Sequence, residues 1–194
     1  MIRTLFIACR AALLTAVVLG LGYPLAMTGL SQAFFRDKAD GSLIRDARGR
    51  VIGSTLLAQA ATKPHYLQPR PSAAGEGYDA MASGGSNLGP SSAALRERAK
   101  AEIARLQAEN PRARGPIPAE LVTASASGLD PHLSPAAMLW QLPRIAQARG
   151  VAEERVRAVL MANVEDHWFG LLGQPTVNVL QANLALDRQF GPAR

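Results

Sequence analysis

Residues 11 to 30 read AALLTAVVLGLGYPLAMTGL, and no charged residue occurs from Ala11 to Phe35. Twenty helical residues at roughly 1.5 Å each cover roughly the 30 Å hydrocarbon core of a bilayer, so this stretch is long enough to cross a membrane once. A cleaved signal peptide is the competing reading. Arg3 and Arg10 would form its basic start, and Ser31-Gln32-Ala33 offers a small-x-small cleavage site. An apolar run of about 20 residues exceeds the roughly 7 to 15 of a signal peptide, which favours a retained anchor. The chain is therefore read as an N-terminal tail and transmembrane anchor over residues 1–35, followed by one soluble extramembrane domain over residues 36–194. A secreted binding protein would require the cleavage.

Downstream of the anchor, Ser42-Leu43-Ile44 and Arg50-Val51-Ile52 flank the turn-rich Asp46-Ala47-Arg48-Gly49, which predicts a short hairpin. From Lys63 to Ser92 the chain carries Pro64, Pro69, Pro71 and Pro90 with Gly75, Gly77, Gly84, Gly85 and Gly89, so a long loop with exposed amides is expected. A helix is predicted from Ser92 to Asn110, with Leu95, Ala99, Ile103 and Leu106 on its apolar face and Arg98, Glu102, Arg105 and Glu109 on the remaining surface. Ser134-Pro135 starts a second helix that Pro143 should kink or split and Gly150 should end. A third spans about Ala152 to Val164, with Val156, Val159 and Leu160 inward. Pro175 to Leu186 is an apolar run of ambiguous type. The fold class is α+β on a single anchor.

The chemistry-bearing residues are sparse. Ser83-Gly84-Gly85-Ser86-Asn87 could offer consecutive amides to a phosphate, but the lysine of a P-loop is absent, and such clusters more often mark turns. Ser125 or Ser127 with Asp130 and His132 invites a membrane-tethered hydrolase reading. A catalytic triad needs the hydroxyl within reach of an oriented imidazole, and Asp130-Pro131 reads more simply as a turn. His65, His132 and His167 are scattered and Cys9 is the single cysteine, so neither a metal site nor an intrachain disulfide is expected. Trp140 and the Trp168-Phe169 pair read as core. Asn178 and Asn183 lie in apolar surroundings and should tie the end of the chain to its neighbours through hydrogen bonds.

Net charge is +6, spread along the chain rather than gathered into an arm, which suits a surface near anionic headgroups and argues against a nucleic-acid partner. Charge counting leaves the topology open, because Arg36, Lys38, Arg45, Arg48 and Arg50 follow the anchor while Arg3 and Arg10 precede it. A compact domain can be translocated regardless of such charges. An inside N-terminus with the domain on the outer face is the expectation.

Taken in order, several blocks resemble the KdpC family. They are Gly22-Tyr23-Pro24-Leu25, Ala39-Asp40-Gly41-Ser42-Leu43-Ile44, Arg70-Pro71-Ser72, Ser83-Gly84-Gly85-Ser86-Asn87-Leu88, Leu121-Val122-Thr123-Ala124-Ser125, Ser127-Gly128-Leu129-Asp130-Pro131-His132, Gln141 with Arg144, Ala148-Arg149-Gly150 and Val177-Asn178-Val179-Leu180. The chain departs from the family pattern at Ala126, where Gly is usual, at Glu120, where Asp is usual, and near Ala61 and Leu67, where aromatics are usual. The lost aromatics should thin the packing of the Pro64 to Pro71 loop.

The resemblance implies a non-catalytic subunit of an ATP-driven potassium-uptake complex in the bacterial inner membrane. Its implied partners are a channel-like potassium-translocating subunit, a P-type ATPase subunit that performs the catalysis, and a small membrane subunit. It also implies a catalytic-chaperone role that raises the ATP affinity of the hydrolysing subunit. No cofactor is expected on the chain alone, while ATP at an interface with the ATPase subunit is allowed. Ser83, Gly84, Gly85, Ser86, Asn87 and Gln141 are the candidate nucleotide or partner contacts.

Overall fold

Ile2 to Phe34 form one continuous helical segment in the computed structural model, which describes residues 1–167 and 171–192. The segment is α1 (Ile2–Thr15), a π-helical stretch (Ala16–Gly22) and α2 (Tyr23–Phe34). It buries none of its residues, and Leu13, Leu14, Leu19 and Leu25 each leave more than half their surface uncovered. Its length and composition suit a bilayer crossing. Pro24 lies in the first turn of α2, where a proline needs no amide partner, and Gly22 and Tyr23 keep helical dihedrals. The irregularity sits upstream instead, where the Tyr23 amide reaches back five residues to the Val18 carbonyl.

The chain divides into two compact units, Met1–Ile52 and Gly53–Arg194. In the first, the anchor is followed by α3 (Arg36–Ala39), and the predicted hairpin forms from β1 (Leu43–Arg45) and β2 (Val51–Ser54). Asp46 organises the turn by accepting the amides of Arg48 and Arg50, both at 2.9 Å, while Gly49 takes φ +77°.

The second unit holds α4 (Ala93–Glu109), a 3-10 turn (Ala119–Leu121), β3 (His132–Leu133), α5 (Pro135–Arg149), α6 (Glu153–Met161), β4 (Val164–Glu165), β5 (Thr176–Asn178) and α7 (Val179–Phe190). The ambiguous run near the C-terminus is both strand and helix, and Asn178 is the switch, because its side chain caps α7 by accepting the Gln181 amide. The three strands form an antiparallel sheet in the order β3-β5-β4, with His132 opposite Asn178 and Val164 opposite Val177. Helix α5 does not split at Pro143. Ser134 caps its start, it runs unbroken through residues 140 to 146, all buried, and Gly150 closes it in the left-handed region. Met138, Leu142 and Ile145 of α5 meet Val156 and Leu160 of α6 and Leu186 of α7 in one core. Trp140 joins that core, while Trp168 and Phe169 lie outside the described residues.

Helix α4 differs from its reading. Of the expected apolar face only Leu106 is buried, and Ile103 is exposed. Arg98, Arg105 and Glu109, assigned to the solvent surface, instead reach loop residues Ser86 and Gln68. Apolar periodicity failed here because the surface this helix covers is a polar loop rather than the core.

Candidate functional site

Two loops meet backbone to backbone at the glycine-rich segment. The Ser83 hydroxyl and the Gly84 amide both donate to the Ser127 carbonyl, at 3.0 and 2.8 Å. A Cβ on Gly85 would lie 2.9 Å from the Ala126 carbonyl oxygen, and one on Gly128, already at φ +68°, would lie 2.7 Å from the Ala74 nitrogen and the Gly84 oxygen. These glycines therefore admit a close approach that no side chain allows. The Gly84 amide is occupied by a carbonyl rather than presented to an anion. Arg98 of α4 fixes the far end of the segment by donating to the Ser86 hydroxyl at 3.3 Å, and Asn87 turns the chain at φ +50°. Ala126 takes no positive φ, so the loss of glycine there leaves the backbone unstrained.

Beside this junction a cavity of about 600 Å³ is lined by Leu57, Arg70, Ser83, Ser125, Ser127 and Asp130 among others. Arg70 pairs with Asp130 at 3.1 Å, and the other Asp130 oxygen accepts the His132 amide at 3.0 Å with the ring Nδ1 at 3.7 Å. The neighbouring His132 and Arg70 hold the Asp130 carboxyl below its ordinary range against the opposing effect of burial. Asp130 in turn raises His132 above 6.5. The hydrolase constellation does not assemble. Ser127 accepts the Leu129 amide and lies 3.5 Å from Ser125, and among the described residues no hydrogen bond joins either hydroxyl to His132. Ser127 thus engages the turn backbone and its neighbour Ser125.

Gln141 belongs to a different place. It is 1% exposed, so it touches no partner directly. Its Oε1 accepts the Gln68 amide at 2.9 Å and its Nε2 donates to the Gln68 carbonyl at 3.0 Å. Asn183 of α7 treats the adjacent residue alike, accepting the Leu67 amide at 2.7 Å and donating to its carbonyl at 2.9 Å. Asn178 donates to the Thr55 carbonyl at 2.8 Å. Arg144 reaches the Pro64 carbonyl at 2.6 Å and Gln141 at 2.7 Å, and Arg149 reaches the His65 carbonyl at 2.9 Å while pairing with Asp187 at 2.8 Å. Burial lowers Arg144 to about 10, which still leaves it charged at neutral pH.

The Pro64 to Pro71 loop, expected to be thinly packed, is thus strapped to α5 and α7 along residues 64–68, with Leu67 fully buried. The strap is not legible in the sequence, although Gln141, Arg144 and Arg149 all lie in the family-like blocks. Polar side chains on two different helices gave no local signal of a shared target.

Residues 5–188 match the family described as KdpC, the K+-transporting ATPase c chain. A protein of Myxococcus xanthus named potassium-transporting ATPase KdpC subunit is 60% identical over 192 residues, covering 99% of this chain and 91% of that protein. Proteins of the same name from Caulobacter vibrioides (strain NA1000 / CB15N) and Rhodospirillum rubrum are 54% and 48% identical. The first alignment covers 92% of this chain and 90% of the relative, and the second covers 98% of each.

Proposed function

Because this chain belongs to the KdpC family, we propose that it is a non-catalytic, single-span subunit of an ATP-driven potassium-uptake complex. The near full-length match to relatives named as subunits of a potassium-transporting ATPase carries the reading. Its partners are a channel-like potassium-translocating subunit, a P-type ATPase subunit that hydrolyses ATP, and a small membrane subunit. The chain supports assembly and raises the ATP affinity of the hydrolysing subunit. Residues 1–35 serve as tail and anchor, and residues 36–194 as the extramembrane domain.

In this reading the surface at Ser83, Ser86 and Asn87 is the contact face. Gln141 acts on it only indirectly, by positioning the strapped loop that leads to Arg70. ATP, if it meets this chain, does so at an interface with the ATPase subunit. The test is steady-state ATPase activity of the purified complex carrying Asn87→Asp or Ser83→Asp, which place a negative charge on that face. The expected result is a raised apparent KM for ATP with subunit stoichiometry and kcat preserved. An unchanged KM in both variants would remove this face from the mechanism.

A further inference from the structure

A groove of about 500 Å³ lies between α5, α6 and the segment from Arg114 to Pro118, apart from the glycine-rich junction. Its floor is apolar, made by Ile117, Leu139, Trp140 and Pro143 among others, and its charged members are Arg114, Arg157 and Glu153. Glu153 and Arg157 are four residues apart on α6, the spacing at which such a pair normally closes. Yet among the described residues neither they nor Arg114 makes an ion pair or a side-chain hydrogen bond. Beneath them Trp140 is 6% exposed, and its indole N–H is buried without an acceptor. A buried indole N–H ordinarily finds one.

We propose that this groove binds a small amphipathic carboxylate, its apolar tail against Trp140, Leu139 and Ile117 and its carboxylate between Arg114 and Arg157. The size favours a small ligand over a protein, since the volume falls in the range of ligand pockets while a stable protein interface needs roughly 800 Å² from each partner. The charge balance favours a single negative charge. Two guanidiniums offer the forked donors that match a carboxylate, and Glu153 on the α6 side disfavours a second anionic group.

The experiment uses the full chain in nanodiscs of zwitterionic phosphatidylcholine, with Trp168→Phe leaving Trp140 as the sole tryptophan, excited selectively at the red edge of its absorption. Octanoate, octanamide and octylammonium are titrated in turn, and calorimetry on the unaltered chain repeats the series without a substitution. Octanoate is expected to change Trp140 emission saturably, with octanamide at least about tenfold weaker, the worth of a charge-assisted contact. Arg114→Gln with Arg157→Gln should weaken octanoate by a similar factor while leaving octanamide and the melting temperature unchanged. Octanamide binding as tightly as octanoate overturns the proposal. So does a non-saturating change shared by the double variant, which reports only partition into the bilayer.

Discussion

At the scale of single residues, two side-chain amides do for Leu67 and Gln68 what a neighbouring strand would do, satisfying one amide and one carbonyl each. Replacing Asn183 by Leu leaves both Leu67 groups buried and unpaired, with an expected loss of about 3 kcal/mol in urea unfolding of the full chain, read by circular dichroism. Gln141→Leu should do at least as much damage, since it unpairs both Gln68 groups and also removes one of the two acceptors of the charged Arg144. Two histidines give pH dependences of opposite sign. His132, raised by Asp130, contributes stability that is complete below 6.5 and is lost as pH rises through its higher folded value. His65, lowered chiefly by burial and then by Arg149, has its neutral ring favoured by the fold, so its contribution is complete above 6.5 and falls away with acid. Asp130→Asn should therefore lower the His132 midpoint measured by NMR of the ring protons, and an unmoved midpoint would remove Asp130 as the cause.

At the scale of elements, glycines with similar φ sit in different surroundings. Gly150 ends α5 at φ +63° with nothing within 4 Å of an added Cβ, whereas Gly128 at φ +68° faces the backbone of Ala74 and Gly84 at 2.7 Å. Gly150→Ala should cost about 1 kcal/mol, and Gly128→Ala more than about 2 kcal/mol because the loops must part, a ranking that paired thermal melts decide. This contrast also marks what could be read in advance. The starts of α4 and α5 and the end of α5 were legible because Ser92, Ser134 and Gly150 act within one turn of themselves. The junction of β5 with α7 was not, because Asn178 caps a helix while its backbone still pairs as strand. The glycine-rich loop was legible as a loop, but its partner, the 126–128 backbone, is some 40 residues away, and sequence carries no sign of that distance.

At the scale of the whole molecule, the domain after the anchor is expected on the outer face of the membrane, with the short basic tail inside. Met81 is almost fully exposed and, unlike Ser83, its side chain holds no loop together, so it is the better reporter. In a Cys9→Ala background, Met81→Cys should react with a membrane-impermeant maleimide in intact spheroplasts, and Thr4→Cys only after lysis; the reverse pattern places the domain inside. The π-helical stretch from Ala16 to Gly22 has a consequence of another kind, for how the anchor tolerates changes of length. Losing one residue from a regular α-helix rotates everything beyond it by about 100°. The wide turn already carries a surplus residue, with the Tyr23 amide bonded to Val18 five positions back. Deleting Val18 should let that turn relax to ordinary α-helix with the flanking faces still aligned, whereas deleting Leu13 or Met27 should swing one half of the anchor away from the other. The bulge makes this stretch the place where the anchor can shed a residue without re-aiming its two halves.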